Sequence, residues 1–207
     1  MSQNKSHAVM SQRFESADSL DFFPTPAWAT RALCEKINEW EDSEINTLTV
    51  WEPACGQHHM LRPLREYFGT AFGTDIHPYN GGHEIQDFLW FIKNKGAHWI
   101  ITNPPFRHGA QFAELMIERC LNGAAILVRT QFLESAARFD TLFSKNPPTE
   151  ILQFVERVPM VKGRVDREAS TATSYCWIVW RKGHYHPPIF RWISPCRKRL
   201  EREGDYA

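Results

Sequence analysis

The sequence predicts an α/β fold with a doubly wound, mostly parallel sheet, on three observations. Short apolar runs of strand character alternate with segments of helical spacing between Ala27 and Phe154. A chain of 207 residues, 43% hydrophobic and 23% charged, suits one globular domain with a single sizeable core. Near the end, Ser174 to Trp180 and Ile189 to Ile193 are β-rich runs separated by Gly183 and Pro187-Pro188, which predicts an antiparallel strand pair closing the sheet.

Residues 1–20 are polar, mixed in charge and without periodicity, so a mobile N-terminal arm is expected there, then one domain over 21–194 and a basic tail over 195–207. Pro26 stands in the first turn of a helix predicted over Ala27 to Trp40, whose apolar face is Ala29, Leu33 and Ile37. A strand at Thr47 to Trp51, a helix at Met60 to Phe68 and a strand at Thr70 to Thr74 follow, then a polar loop with Asn80, Gly81 and Gly82. The next expected elements are a strand at Trp99 to Thr102, a helix at Ala110 to Leu121, a strand at Ala124 to Arg129, a helix near Leu133 to Phe143 and a strand at Ile151 to Phe154. Sheets of this kind bind ligands where loops leave the carboxyl ends of the strands. Trp90, Trp99, Trp177, Trp180 and Trp192 lie in apolar or strand-like contexts and read as core or edge residues.

The formal net charge is zero, but from Ile151 onward 11 Lys/Arg stand against 6 Asp/Glu, so the basic charge collects in the last quarter. The five cysteines are scattered, with no CxxC pair to suggest a zinc site or a disulfide framework, and no uninterrupted apolar stretch is long enough to cross a bilayer. A soluble, cytoplasmic protein with reduced thiols is expected.

The strongest chemical signal is Ile100-Ile101-Thr102-Asn103-Pro104-Pro105-Phe106, an apolar strand that stops at Asn103 before two prolines. The prolines fix the backbone and remove two N–H donors, which leaves acceptors in excess. An aromatic amine is a poor nucleophile because its lone pair is delocalised into the ring. Acceptors that hold both of its N–H groups favour the form with a localised lone pair, and Asn103 Oδ1 and the Pro104 carbonyl suit that task, with Phe106 as a face for the ring. No strong general base is required, because the amine becomes acidic as its new bond forms.

Three weaker signals precede it. Glu52-Pro53-Ala54-Cys55-Gly56 ends a strand with a carboxylate and a small-residue turn, which suits a cationic amino-acid group. Asp75, followed by Ile76, ends the next strand where α/β nucleotide binders hold ribose hydroxyls. Gln86-Asp87-Phe88 pairs an acceptor with an aromatic, as an adenine ring requires. Taken singly, each fits an ordinary turn, an exposed loop acid or a helix cap as well. Their order, at successive strand ends of one sheet, raises their joint weight.

In these residues the chain resembles the SAM (S-adenosylmethionine)-dependent amino-methyltransferases of DNA with an Asn-Pro-Pro-Phe motif, and in particular the small adenine-N6 methyltransferases of phages and prophages. The resemblance runs from Asp21 to about Ile193. It implies a Rossmann-like class I SAM methyltransferase fold, SAM as cofactor with S-adenosylhomocysteine as product, no metal, and DNA as partner. It further implies cofactor contacts from Phe23, Pro24 and Thr25, from Glu52, Ala54 and Gly56, from Asp75 and Ile76, from Asp87 and Phe88, and from Asn103, with Asn103, Pro104, Pro105 and Phe106 as the catalytic motif.

Two departures qualify the match. His58 stands where the pattern has a second glycine; a Cβ there crowds the cofactor or demands unfavourable φ/ψ, and predicts reduced SAM affinity. The adjacent His58 and His59, without other placed ligands, read as a turn and helix start rather than a metal site. The chain also has no room for a separate target-recognition domain, so DNA contacts fall to Val158 to Ala169, with Lys162, Arg164 and Arg167 as phosphate contacts, and to Arg197, Lys198, Arg199 and Arg202, which equally fit a solvated tail. Adenine-N6 methylation of DNA leads; transfer to RNA, to cytosine N4 or to protein glutamine, and a non-catalytic SAM-fold module, are the alternatives.

Overall fold

The computed structural model describes residues 21–90 and 95–206; the expected mobile arm lies outside the described residues. Eight strands form one sheet: β1 (Thr49–Glu52), β2 (Thr70–Asp75), β3 (Glu84–Ile85), β4 (Trp99–Thr102), β5 (Gly123–Arg129), β6 (Glu150–Phe154), β7 (Tyr175–Arg181) and β8 (Ile189–Ile193). Their order is β3-β2-β1-β4-β5-β7-β6-β8. All neighbouring pairs are parallel except β5–β7 and β6–β7, so β7 alone runs against the rest. The expected fold class holds, with one revision: the two late β-rich runs do not pair with each other. β7 inserts between β5 and β6, and β8 lies parallel to β6 at the edge.

Side-chain alternation explains why helices cover both faces. Trp99 and Ile101 of β4, Ala125 and Leu127 of β5, and Trp177 and Val179 of β7 join one core cluster under α1 (Ala27–Trp40) and α2 (Leu61–Tyr67). Ile100, Ala124, Ile126, Cys176 and Ile178 point the other way, toward Phe112 and Met116 of α3 (Gly109–Arg119). The period of two along each strand therefore builds a three-layer α/β/α core. Helix α1 has the bounds read from the sequence, and its Ala29, Leu33 and Ile37 are fully buried.

The helix expected near Leu133 to Phe143 is broken. A 3₁₀ turn at Thr130–Leu133 gives way to one α turn, α4 (Ala136–Arg138), and a π-type turn at Phe139–Phe143. Ser135 is the cause: its hydroxyl accepts the Arg138 N–H and starts a new helix, while the Arg138 side chain bonds the carbonyl of Phe132. Of the five tryptophans assigned to core or edge, Trp99, Trp177 and Trp180 are buried, whereas Trp90 and Trp192 are largely exposed.

The basic tail is anchored to the fold, with Arg199 and Arg202 still more than half exposed. Its short helix α5 (Arg197–Leu200) packs on α1 with Leu200 buried. Arg31 of α1, only 3% exposed, is held by both carboxylate oxygens of Glu66, both of Asp205 and the Leu200 carbonyl. Arg197, Arg199 and Arg202 pair with Glu201, Glu35 and Glu66. These cations are engaged by the chain's own carboxylates.

Candidate active site

The residues singled out at the strand ends converge on one cavity of about 470 Å³, within the range of small-molecule sites. It lies where β1, β2 and β4 end, and is crossed by the strap Asp21–Thr25 that precedes α1. Three bonds fix this strap to the Asn-Pro-Pro-Phe turn. Asn103 Nδ2 donates to the Phe23 carbonyl at 2.8 Å and to Thr25 Oγ1 at 3.2 Å, and the Phe106 N–H donates to Asp21 Oδ2 at 2.6 Å. Because its nitrogen is committed to the strap, Asn103 keeps Oδ1 as an acceptor. The Pro105 carbonyl accepts from His108 N–H, and no backbone N–H reaches the Pro104 carbonyl among the described residues.

Glu52 is buried at the end of β1, and its Oε2 has no hydrogen-bond partner. Burial, and then the charge of Asp75, push its carboxyl well above the usual carboxylate range. Asp75 is tied down by backbone: Oδ2 accepts the Gly56 N–H at 2.8 Å and Oδ1 the His77 N–H at 2.9 Å. Gly56 sits at φ +48°, and a Cβ there would stand 2.6 Å from the Phe22 ring, so the strap lies directly on this turn. Gln86 is also buried with neither amide atom paired. Buried polar groups ordinarily have partners, so Glu52 and Gln86, both lining the cavity, are suited to a polar ligand.

Asp87 lines the cavity, and its Oδ1 accepts the Leu89 N–H at 2.9 Å, an Asx turn that leaves Oδ2 for another partner. Asp87→Ala is expected to weaken by roughly 1–3 kcal/mol the binding of a ligand whose amine pairs with Oδ2; calorimetry showing unchanged affinity would reduce Asp87 to a turn residue. Phe88 is both cavity wall and core, with its ring edge-on to Trp51 at 5.1 Å. Ile76 is 65% exposed at the rim. Phe23, Pro24, Thr25, Ala54, Pro104 and Pro105 all border the same space.

Several contributors were not read from the sequence. Phe22 closes over the turn and packs on Tyr79, ring centroids 4.8 Å apart. His59 lines the cavity with Nδ1 unpaired, and burial, helped by Arg62 and His58, pushes its pKa down to about 4. Arg129, at the end of β5, lays its guanidinium 4.3 Å from the centre of the Phe106 ring. A second hollow of about 150 Å³ opens there, bordered by Pro104, Phe106, Arg129, Gln131, Phe132 and Arg138.

His58 takes φ +70°, the left-handed conformation a glycine would adopt freely. Its ring Nε2 lies 3.0 Å from His83 Nδ1. In the proposed phosphate loop, the Gly163 N–H donates to the Phe22 carbonyl, which brings residues 158–169 beside the strap. Arg164 pairs with Asp166 and Arg167 with Glu201, both arginines remaining more than half exposed. No helix among the described residues is long and apolar enough to cross a membrane, and all five cysteines are free and buried.

No protein-family model and no curated protein sequence matches the chain. Solved structures do resemble it. A methyltransferase subunit of a type I restriction-modification system from Streptococcus thermophilus superposes over 89% of the chain with a TM-score of 0.61 at 12% identity. A Vibrio vulnificus protein described as the modification subunit of a type I restriction enzyme covers 87% with a TM-score of 0.58 at 16% identity. The chain spans about half of each, 49% in both cases. A Pyrococcus horikoshii protein described as an RNA methyltransferase superposes over 77% of the chain and 87% of its own length, with a TM-score of 0.58 at 15% identity. At these identities the likeness is one of fold, and with the strand order and the single reversed strand it gives the chain the fold of class I SAM-dependent methyltransferases.

Proposed function

We propose that the protein transfers a methyl group from SAM to the N6 amino group of adenine in DNA. The observation that carries this reading is the state of Asn103: its amide nitrogen is engaged by the strap, so Oδ1 is the oriented acceptor at the end of β4, beside the Pro104 carbonyl. Two fixed acceptors suit an amine with two N–H groups and would discriminate against a hydroxyl or thiol. When bound, SAM supplies an electrophilic methyl group. Glu52 would face its ammonium, Asp75 its ribose hydroxyls, and Gln86 with Asp87 its adenine. Asn103 Oδ1 and the Pro104 carbonyl accept the two N–H groups of the target and draw its lone pair out of conjugation; after transfer, the surplus proton leaves along one of these hydrogen bonds to water.

The hollow beside Phe106 suits the target base, which must be extruded from a duplex to arrive there at a cost of a few kcal/mol. Arg129 would then hold the far side of the Phe106 ring and the approach to the hollow. Arg129→Ala is expected to raise KM for DNA by the equivalent of about 0.5–2 kcal/mol, leaving SAM affinity unchanged. A KM that did not move would remove Arg129 from target binding.

The decisive assay is transfer from labelled SAM to unmethylated plasmid DNA, followed by nucleoside digestion and mass spectrometry. N6-methyladenine supports the reading. Label in N4-methylcytosine, in RNA or in protein glutamine would redirect it to that amine.

A further inference from the structure

His58 has no ligand partners near it in the chain beyond Cys55, and the fold supplies another. Cys55 and His58 lie in the turn after β1; His83 lies in the loop after β2. Cys55 Sγ and one ring nitrogen each of His58 and His83 fall within 4.8 Å of one another. We propose that these three residues form a transition-metal site, zinc by the nature of its ligands, separate from the methyl-transfer chemistry.

Orientation supports it as well as proximity. His83 Nε2 lies 2.9 Å from the His77 carbonyl and donates to it, which makes Nδ1 the lone-pair nitrogen; this Nδ1 accepts from His58 Nε2 at 3.0 Å, and a metal taking that place moves the His58 proton to Nδ1 of the same ring. A metal-binding imidazole is ordinarily held in this way, its second nitrogen bonded to a carbonyl that fixes tautomer and ring direction. The two histidine nitrogens meet against Gly81, where a Cβ would stand 2.9 Å from each, so glycine is required for their approach. One thiolate and two imidazoles are a borderline-soft set that suits Zn²⁺, with water completing a tetrahedron. Asp75 and Glu52 bring acidic charge to the same turn; Arg62 and Arg65 on α2 oppose it. On binding, the Cys55 thiol releases one proton to solvent as the metal–sulfur bond forms, and the imidazoles bind neutral.

Such an ion would tie the turn that carries Glu52 and Gly56 to the loop after Asp75. The left-handed His58 then has a structural reason: the position that a glycine would fill without strain instead carries a ligand.

The test is a Co²⁺ titration of the full chain after dialysis against chelator. Expected are one equivalent of Co²⁺ with a near-ultraviolet thiolate-to-cobalt charge-transfer band, visible d–d bands of tetrahedral intensity, displacement of both by Zn²⁺, and a higher unfolding temperature with Zn²⁺. His83→Ala and His58→Gly should each lower the affinity by more than about 100-fold, beyond the 10–100-fold that loss of an outer-shell partner costs. His58→Gly is the variant safest for folding, because glycine suits φ +70°. Absence of the charge-transfer band in the folded wild-type protein would overturn the site. So would a band that persists unchanged in both histidine variants. None of these readouts requires methyl transfer.

Discussion

Asn103→Ala is expected to lower the rate of methyl transfer by on the order of 10²–10³-fold, the scale at which single preorganised hydrogen-bonding groups act on a reacting centre. It should also weaken SAM, because the same side chain anchors the strap. Losing the bonds to the Phe23 carbonyl and Thr25 Oγ1 is expected to cost about 0.5–1.5 kcal/mol each in the order of this cavity wall. Asn103→Asp separates the two roles. It keeps acceptor oxygens but sets one against the Phe23 carbonyl, so the strap is lost and an acceptor survives. Single-turnover rates at saturating SAM, with Kd measured beside them, are the readout: a full-rate alanine variant would end the catalytic assignment of Asn103.

Glu52→Gln should weaken SAM and stabilise the free protein together. Removing a charge-assisted bond to the cofactor's ammonium is expected to cost about 1.5–3 kcal/mol, roughly 10–100-fold in Kd. The stability effect has the opposite sign. An unfolded glutamate titrates near 4.3, whereas burial and Asp75 hold the folded Glu52 carboxyl well higher. Between those values the folded state keeps a proton that the unfolded chain has released, so stability falls as pH rises through that window. A glutamine does not titrate, so the variant should unfold at higher temperature than wild type above the window, with a flatter pH profile. SAM binding to the wild-type protein should release a proton within the same window, which calorimetry in buffers of different ionisation enthalpy would detect. An isothermal binding constant for the variant equal to that of wild type would sever Glu52 from the cofactor.

Local order was legible in the sequence wherever neighbouring residues dictate it. The spacing of Ala29, Leu33 and Ile37 gave α1, and a β-rich run bounded by Pro187-Pro188 gave β8, both with their observed bounds. The ring of strand-end residues around the cavity was readable because each stands at a strand terminus, and the topology of a parallel sheet gathers such termini at one edge. Strand partners were not readable: a period of two fixes which face a residue shows, but not which strand lies beside it. β7 therefore went to β5 and β6 rather than to β8. Within the site, the contacts that escaped notice join residues far apart in the chain. Asn103 meets Phe23 across 80 positions, and Arg129 covers a ring 23 positions earlier. The tail's partners are distant in the chain too: Arg199 and Arg202 find carboxylates on α1 and α2.

The position of β7 bears on how the chain is made. β6 touches only β7 and β8, and β5 has β7 on its outer edge. Until residues 175–181 have left the ribosome, β5 ends the sheet with an open row of N–H and C=O groups, and β6 has no neighbour. The parallel half, with most of the strand-end cavity, is complete before then; the strand that joins it to β6 comes later, and β8 follows it. This predicts a nascent intermediate with an unprotected apolar edge, the kind of surface that recruits chaperones or pairs with another chain. Production of active protein should therefore depend on temperature and chaperone supply during synthesis more than on the stability of the finished sheet.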